Sequence, residues 1–331
     1  MPLHDAGYKH WHGAHLGIRH RRLAIAFQGL KACLANRWMR HLVLVCWLGG
    51  LSLTAMLFVV GQLLVADSVI VEWTSGLNPM LQTFARNLMT WLDRHPEISV
   101  RATQNILFCY ASRWLLPASI LALALAIPHL ITRDLSSNAI IIYSSKAIGR
   151  LDYLLGKFLA AFGLLALTWL GPLLAAWFFG NLLAPDWHFF WHSRLALGNT
   201  LLFVLSAMVI LSLLAMGVSA IASGEKTTIA LWMVWWIAGY VLVKIAQETR
   251  PWLKHLSFKH NLDDLALSSF RLHDEIQLMQ ENIPILGDLL KNVPPATIEA
   301  LAHPATAGSI VALGFMLAIA VGIVARRVKP E

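Results

Sequence analysis

Charge is the scarcest ingredient of this chain. Asp, Glu, Lys and Arg make up 13% of its 331 residues against 57% hydrophobic ones, too little polar surface to coat a soluble globule. Cysteine is nearly missing: of Cys33, Cys46 and Cys109, the first falls on the inner side of the expected spans, the second near the inner end of span one and the third near the outer end of span two, and no intrachain disulfide is expected. HExxH, GxSxG and CxxC are all absent, which removes the commonest metallopeptidase, hydrolase and dithiol signatures. Residues 224–227, GEKT, fail the phosphate-loop pattern GxxxxGK[ST] because Glu225 separates the glycine from Lys226, so they are read as a charged tight turn and not as a nucleotide site.

What the chain has instead is long apolar runs. Six of them, at about 41–66, 115–132, 151–180, 198–222, 228–246 and 306–325, suit helices that cross a bilayer, which takes about 20 residues. The first run is too long, and too far from residue 1, for a cleavable signal peptide, and is expected to stay in the membrane. The spans carry no acidic or basic residue near mid-depth, since Lys244 and Asp67 fall at outer ends and His129 at an inner end. A charge held in hydrocarbon is costly and persists where it has a task, so a self-powered proton or sodium carrier is disfavoured.

Orientation follows from the basic residues. The side holding both termini has 15 Lys and Arg in 78 positions, and the other side has 10 in 124. Both termini are therefore expected in the cytoplasm. The net charge of +8 then belongs largely to the inner face, where anionic lipid attracts it, and is no nucleic-acid footprint.

The predicted fold class is all-α, a polytopic membrane protein with six transmembrane helices. Residues 1–40 form a basic tail and an amphipathic interfacial helix, 41–325 the six-span domain and 326–331 a cytoplasmic tail. In the tail, His4, His10, His12, His15 and His20 suggest metal binding by residue type. With Asp5 as the only neighbouring carboxylate, a solvated basic tail is preferred, and no metal site is expected. Leu23, Phe27, Leu30, Leu34 and Trp38 recur every three or four residues among basic ones and predict a helix lying in the inner interface. A second stripe, Leu77, Leu81, Phe84, Leu88 and Trp91, predicts an outer helix closed by Pro96. Gly171 and Pro172 predict a kink in span three, and Trp177, Trp187 and Trp191 mark the outer interface. Residues 247–304 are read as an extracytoplasmic helical cap before the last span, with one helix through Leu262, Leu265, Leu272, Ile276 and Met279 and a short second one over 285–290. Its His255, His260, Asp263 and Asp264 are read as a solvated polar loop in preference to a metal or acid–base cluster.

One polar interruption stands out, residues 133–157, RDLSSNAIIIYSSKAIGRLDYLLGK. As a helix, its first part would set Leu135, Ala139, Ile142, Tyr143 and Lys146 on one side. Three isoleucines and a tyrosine on a solvated loop form a patch that needs cover, from a partner protein, the membrane interface or the bend between spans. The order of Asp134, Tyr143, Lys146, Arg150, Tyr153, Leu155, Gly156 and Lys157 between spans two and three resembles the permease subunit of type 2 ABC exporters. The chain departs from that pattern at Ala147, where the family often has proline. The six spans, the entry helix and the outer segment before span six fit the same resemblance.

The resemblance implies a translocation subunit that pairs with a second permease protomer, more readily as a homodimer than a heterodimer. Two copies of a separate ABC ATP-binding subunit would dock beneath the loop and carry ATP and Mg, so this chain would hold no cofactor and perform no catalysis. Asp134, Leu135, Ile142, Tyr143, Lys146 and Arg150 would belong to the coupling loop, and Tyr153, Gly156 and Lys157 to the entry of span three. The expected location is the bacterial cytoplasmic membrane. Other readings are a membrane scaffold or signal-transmitting subunit using the same loop, and a metal-handling membrane protein built on the His-rich tail.

Overall fold

The computed structural model describes residues 17–63, 96–137, 149–248, 250–282 and 306–328, which are helical with no strand among them. Twelve helical segments suffice to place them: α1 (Ile18–Leu34), α2 (Arg37–Leu63), α3 (Pro96–Ala126), α4 (Thr132–Ser136), α5 (Arg150–Leu165), α6 (Gly171–Leu182), α7 (His188–His192), α8 (Arg194–Ile221), α9 (Glu225–Glu248), α10 (Phe258–Ser269), α11 (Leu272–Asn282) and α12 (Thr306–Arg327). Six stretches are long and apolar enough to cross a membrane: Arg37–Gln62, Glu97–Ser136, Arg150–Leu182, Arg194–Ile221, Glu225–Ala246 and Thr306–Arg327. The architecture is that of a multi-pass membrane protein, and the six expected spans are all found.

Spans two and four form the centre. Their apolar windows are 72% and 61% buried, against 17% for span five and 22% for span six, so the latter two lie on the perimeter. Tryptophans tie the centre together. Trp169 of span three packs edge-on against Phe203 at 5.7 Å and donates its indole N–H to the Ser112 carbonyl at 3.0 Å. Trp232 of span five reaches the Ile120 carbonyl in the same way, also at 3.0 Å. In an apolar medium each buried indole N–H needs such a partner.

Span three is interrupted where the sequence indicates. Pro172 lacks an N–H, and the turn before it, Ala166–Leu170, is a π-helix in which the Gly171 N–H bonds back to Ala166. That wider step leaves the Leu167 carbonyl without its usual partner, and the Trp47 indole of span one fills the place at 3.1 Å. A Cβ on Gly50 would lie 2.8 Å from the Pro172 carbonyl oxygen, so the glycine permits the same close approach.

Several boundaries differ from the sequence reading. Span two begins at Pro96, where proline is tolerated because a first-turn N–H has no helical partner anyway. Residues 97–114 therefore extend the span. The stripe from Leu23 to Trp38 is split by a turn at Ala35 and Asn36; the Asn36 side chain accepts the Trp38 N–H at 3.0 Å and starts α2. Leu30 and Leu34 pack around Cys33, Met39 and Leu164, while Leu23, Phe27 and Trp38 are exposed. The segment after span five forms two helices, α10 and α11, separated at Arg271, whose φ of 45° breaks the run. The stripe at 77–91, the segment at 285–290 and all the N-terminal histidines except His20 lie outside the described residues.

Small residues let α1 lie close along α5. A Cβ on Gly156 would sit 2.7 Å from the Ile25 side chain, and one on Gly29 would sit 2.9 Å from Ala160. Cys33, in the last turn of α1, is buried on the face turned to the bundle, and that burial pushes its thiol up from 9.0 to about 11, leaving about a hundredfold less thiolate at neutral pH. Gly156→Leu is expected to lift α1 and make Cys33 reactive. Maleimide modification at pH 7.4, read on the Cys33 peptide by mass spectrometry, should be slow in the native chain and faster by tenfold or more, on the order of that thiolate gain, in the variant.

Candidate functional site

The end of the bundle that holds both described termini carries a compact polar junction, and the construction begins with proline. Pro128 cannot extend the helix of span two, so the chain makes a 3-10 turn over Ile127–His129 and restarts as α4. Restarting leaves the first N–H groups of α4 without helical partners. Ser219 of span four meets them: its hydroxyl accepts from Ile131 at 2.9 Å and Thr132 at 3.0 Å, and donates to the Ile127 carbonyl at 2.8 Å. Thr132 completes the knot, donating to the Ser219 carbonyl at 2.8 Å and lying 3.0 Å from the Thr228 hydroxyl at the start of span five.

Asp134 then projects from α4 toward α5. Lys157 sits 2.7 Å from its carboxylate, with both side chains nearly buried, and Tyr153 donates to the same carboxylate at 2.8 Å. Lys157 also donates to the His129 carbonyl at 2.9 Å. Tyr153 and Lys157 are one helical turn apart and so share a face of α5. Tyr153 and Lys157, at one end of the 133–157 loop, thus converge on the carboxylate of Asp134 at the other. Such a pair is held by charge-assisted hydrogen bonds on both partners, which offset the cost of removing them from water.

Neighbouring pairs brace the junction. Arg22 of α1 meets Asp152 at 2.6 Å, and Arg133 meets Glu225 at 2.8 Å in an exposed pair. Arg150 donates through Nη2 to the carbonyls of Val324 and Ala325 in the last turn of α12. Gly156 lies under Ile25, and Leu135 packs on the main core. Of the loop residues singled out from sequence, Asp134, Tyr153, Gly156 and Lys157 are brought together. Arg150 points instead to α12, and Ile142, Tyr143 and Lys146 lie outside the described residues. Ser219, Thr228, Arg22 and Asp152 were not anticipated. A serine and two threonines near the ends of apolar runs were the available signal.

The opposite end carries a second polar network, and here the expectation of a solvated loop is overturned. The α10 helix enters the bundle: Phe258 stacks on Trp232 at 5.3 Å and Phe270 packs on Phe203 at 6.2 Å. Asp263 and Asp264 are buried with it. Arg113 of span two reaches Asp263 at 3.2 Å, Lys259 contacts the same carboxylate, and Ser309 of span six donates to Asp264 at 2.7 Å. In the sequence Arg113 reads as an outer-loop residue because the apolar run begins after it, at Leu115, whereas the helix begins at Pro96. Nearby, Asn105 donates to the Phe270 carbonyl at 2.7 Å, Gln104 to Asn181 at 2.9 Å, and Arg101 pairs with Glu275 at 3.0 Å. Among the described residues no group of three or more His, Cys, Asp and Glu is placed to hold a metal ion.

Lys157→Met would leave the nearly buried Asp134 carboxylate with the Tyr153 hydrogen bond and no counter-charge, at a cost of up to about 3–5 kcal/mol. Asp134→Leu combined with Lys157→Met should cost less than either change alone. Thermal unfolding in detergent of both single variants and the double variant checks this cycle. At the other end, burial lowers the His260 pKa below its ordinary value, against the pull of Asp264 at 3.5 Å. A group depressed on folding makes the fold lose stability as pH falls through the unfolded value of about 6.5. The melting temperature is expected to drop between pH 7.5 and 5.5, with a smaller drop in His260→Gln. Compared with known proteins, the chain matches no family model and no curated protein sequence.

Proposed function

We propose that this chain is the membrane-spanning subunit of an ATP-binding-cassette exporter, working as a dimer with two copies of a separate ATPase subunit that bring ATP and Mg. The observation that carries the reading is the junction at Asp134. The two ends of the 133–157 loop are tied to each other there through one nearly buried carboxylate, so a displacement of the loop is passed to spans two and three together. A loop of this kind transmits motion and performs no chemistry. Its order of Asp134, Tyr143, Lys146, Arg150, Tyr153, Gly156 and Lys157 supports the same reading by resemblance.

In this reading both termini and the loop face the cytoplasm, in line with the excess of basic residues on that side. The membrane is the bacterial cytoplasmic membrane. The exposed Leu23, Phe27 and Trp38, set among exposed Arg21, Lys31, Arg37 and Arg40, suit an entry region lying in the inner interface. The α10 and α11 helices form the extracytoplasmic segment. ATP binding closes the partner subunits, the docked loop moves, and spans two and three tilt to open a path between protomers.

The isoleucine run and Tyr143 supply the apolar contact that a partner would cover. Ile142→Asp with Tyr143→Asp is expected to abolish co-purification with the ATPase subunit while leaving the membrane subunit folded. Unaltered co-purification and unaltered ATP hydrolysis in that variant would overturn the proposal.

A further inference from the structure

Two adjacent carboxylates at the end opposite the Asp134 junction are treated differently by the fold. Asp263 receives both nearby cations, Arg113 of span two and Lys259 of α10. Asp264 is equally buried, yet among the described residues no Lys or Arg pairs with it. Its Oδ2 accepts instead from the Ser309 hydroxyl at 2.7 Å, a hydrogen bond that ties α10 to span six. A buried carboxylate held by a neutral donor is short of compensation.

His260 lies four residues before Asp264 and so shares its face of α10. The imidazole Nε2 stands 3.5 Å from the same Oδ2 and is buried without a hydrogen bond. The side chain keeps 22% of its surface exposed, so a small movement of the ring brings it to solvent protons. Span six backs closely onto the cluster. His255 Nδ1 lies 3.1 Å from Asn261 Oδ1 and 3.4 Å from Ser309 Oγ, and a Cβ on Gly308 would come within 2.8 Å of His255 Nε2. One carboxylate oxygen thus stands between a hydroxyl on another helix and an imidazole on its own.

The surrounding charges favour release once that imidazole is charged. Lys254 and His255 lie in the turn over Pro251–Leu256, with the His255 ring 6.1 Å from that of His260. Span two brings Arg113, and the ring of Tyr240 in span five lies 5.5 Å from the Lys259 ammonium. Glu275 of α11 is engaged by Arg101, Arg194 of span four lies over Trp191, and span six brings Ser309. A charged His260, with Arg113, Lys254 and Lys259, outnumbers the two carboxylates. Burial, and then Lys254 and His255, hold the His260 pKa below its ordinary value against the pull of Asp264. A released α10 restores that ordinary value, so falling pH favours release.

We propose that this cluster is a proton-operated latch: protonation of His260 draws the Asp264 carboxylate into an ion pair within α10, weakens its hydrogen bond to Ser309 and frees α10 from span six. The latch requires no ATPase partner and is independent of the exporter reading.

Backbone amide exchange of the full-length protein in non-ionic detergent tests it at pH 7.5 and 5.5. Rates are read as protection relative to the unstructured chain, which removes the pH dependence of intrinsic exchange. Protection of the Leu262, Leu265 and Leu267 amides is expected to fall by about tenfold between the two values, as one pH unit below the ordinary histidine pKa of about 6.5 allows. Amides at the centre of span four should hold. His260→Gln should keep α10 protected at both values, and Ser309→Ala should lower its protection at pH 7.5 and remove most of the pH dependence. Protection of α10 that is the same at both values in the native chain, a full fall in either variant, or an equal fall at the centre of span four would overturn the proposal.

Discussion

A carboxylate drawn almost out of water at the end of an apolar bundle has to be neutralised where it stands, and the pairing of Asp134 with Lys157 does this at the end where both described termini meet. Much of that end follows from the pair. Asp134 reaches the interface with α5 only because Pro128 stops span two and the chain restarts as α4. The restart is tolerated because Ser219 satisfies the freed N–H groups. α1 packs along α5 through glycine and alanine contacts, and Lys157 and Tyr153 stand at the inner wall of a cavity of about 490 Å³ between the two helices. The strength of the pair therefore depends on packing from four separate parts of the chain.

The two ends of the bundle use polar groups differently. At the Asp134 end, ion pairs tie a loop to its spans. At the other end, Arg113, Lys259, Asp263, Asp264 and Ser309 fasten an inserted helix between spans two, five and six, beside aromatic contacts from Phe258 and Phe270. The middle is left to hydrophobic packing and to indole N–H groups that use the second lone pair of helix carbonyls. A bundle fastened at both ends with an apolar middle is suited to tilting its helices as units, as the exporter proposal requires.

The six spans were legible in the sequence because an apolar run of about 20 residues has one good solution in hydrocarbon, a helix that pairs its own backbone. The break at Gly171 and Pro172 was legible for the same covalent reason. What escaped was pairing across sequence distance. Glu97, Arg101, Gln104 and Asn105 make the start of span two look like a loop until their partners Glu275, Asn181 and Phe270 are in place, up to 174 residues away. His260 and Asp264 looked solvated because nothing local reports that Phe258 and Phe270 bury the segment. Asn36 was the readable sign that α1 ends before Trp38, and the periodicity of the leucines masked it. At the candidate site, Asp134, Tyr153 and Lys157 were marked by their order in the loop, whereas Ser219 carried no pattern that distinguishes it from any other serine in a span.

The claim on which the account rests is that the Asp134 junction holds the two ends of the loop to the bundle. Hydrogen exchange of the backbone amides of Ile131, Thr132, Leu135 and Tyr153, compared between the native chain and Tyr153→Phe in the same detergent, tests it most directly. The account predicts slow exchange of all four amides in the native chain and faster exchange of all four together in the variant, with amides at the centre of span four unchanged. Fast exchange in the native chain, or identical exchange in both proteins, would contradict it.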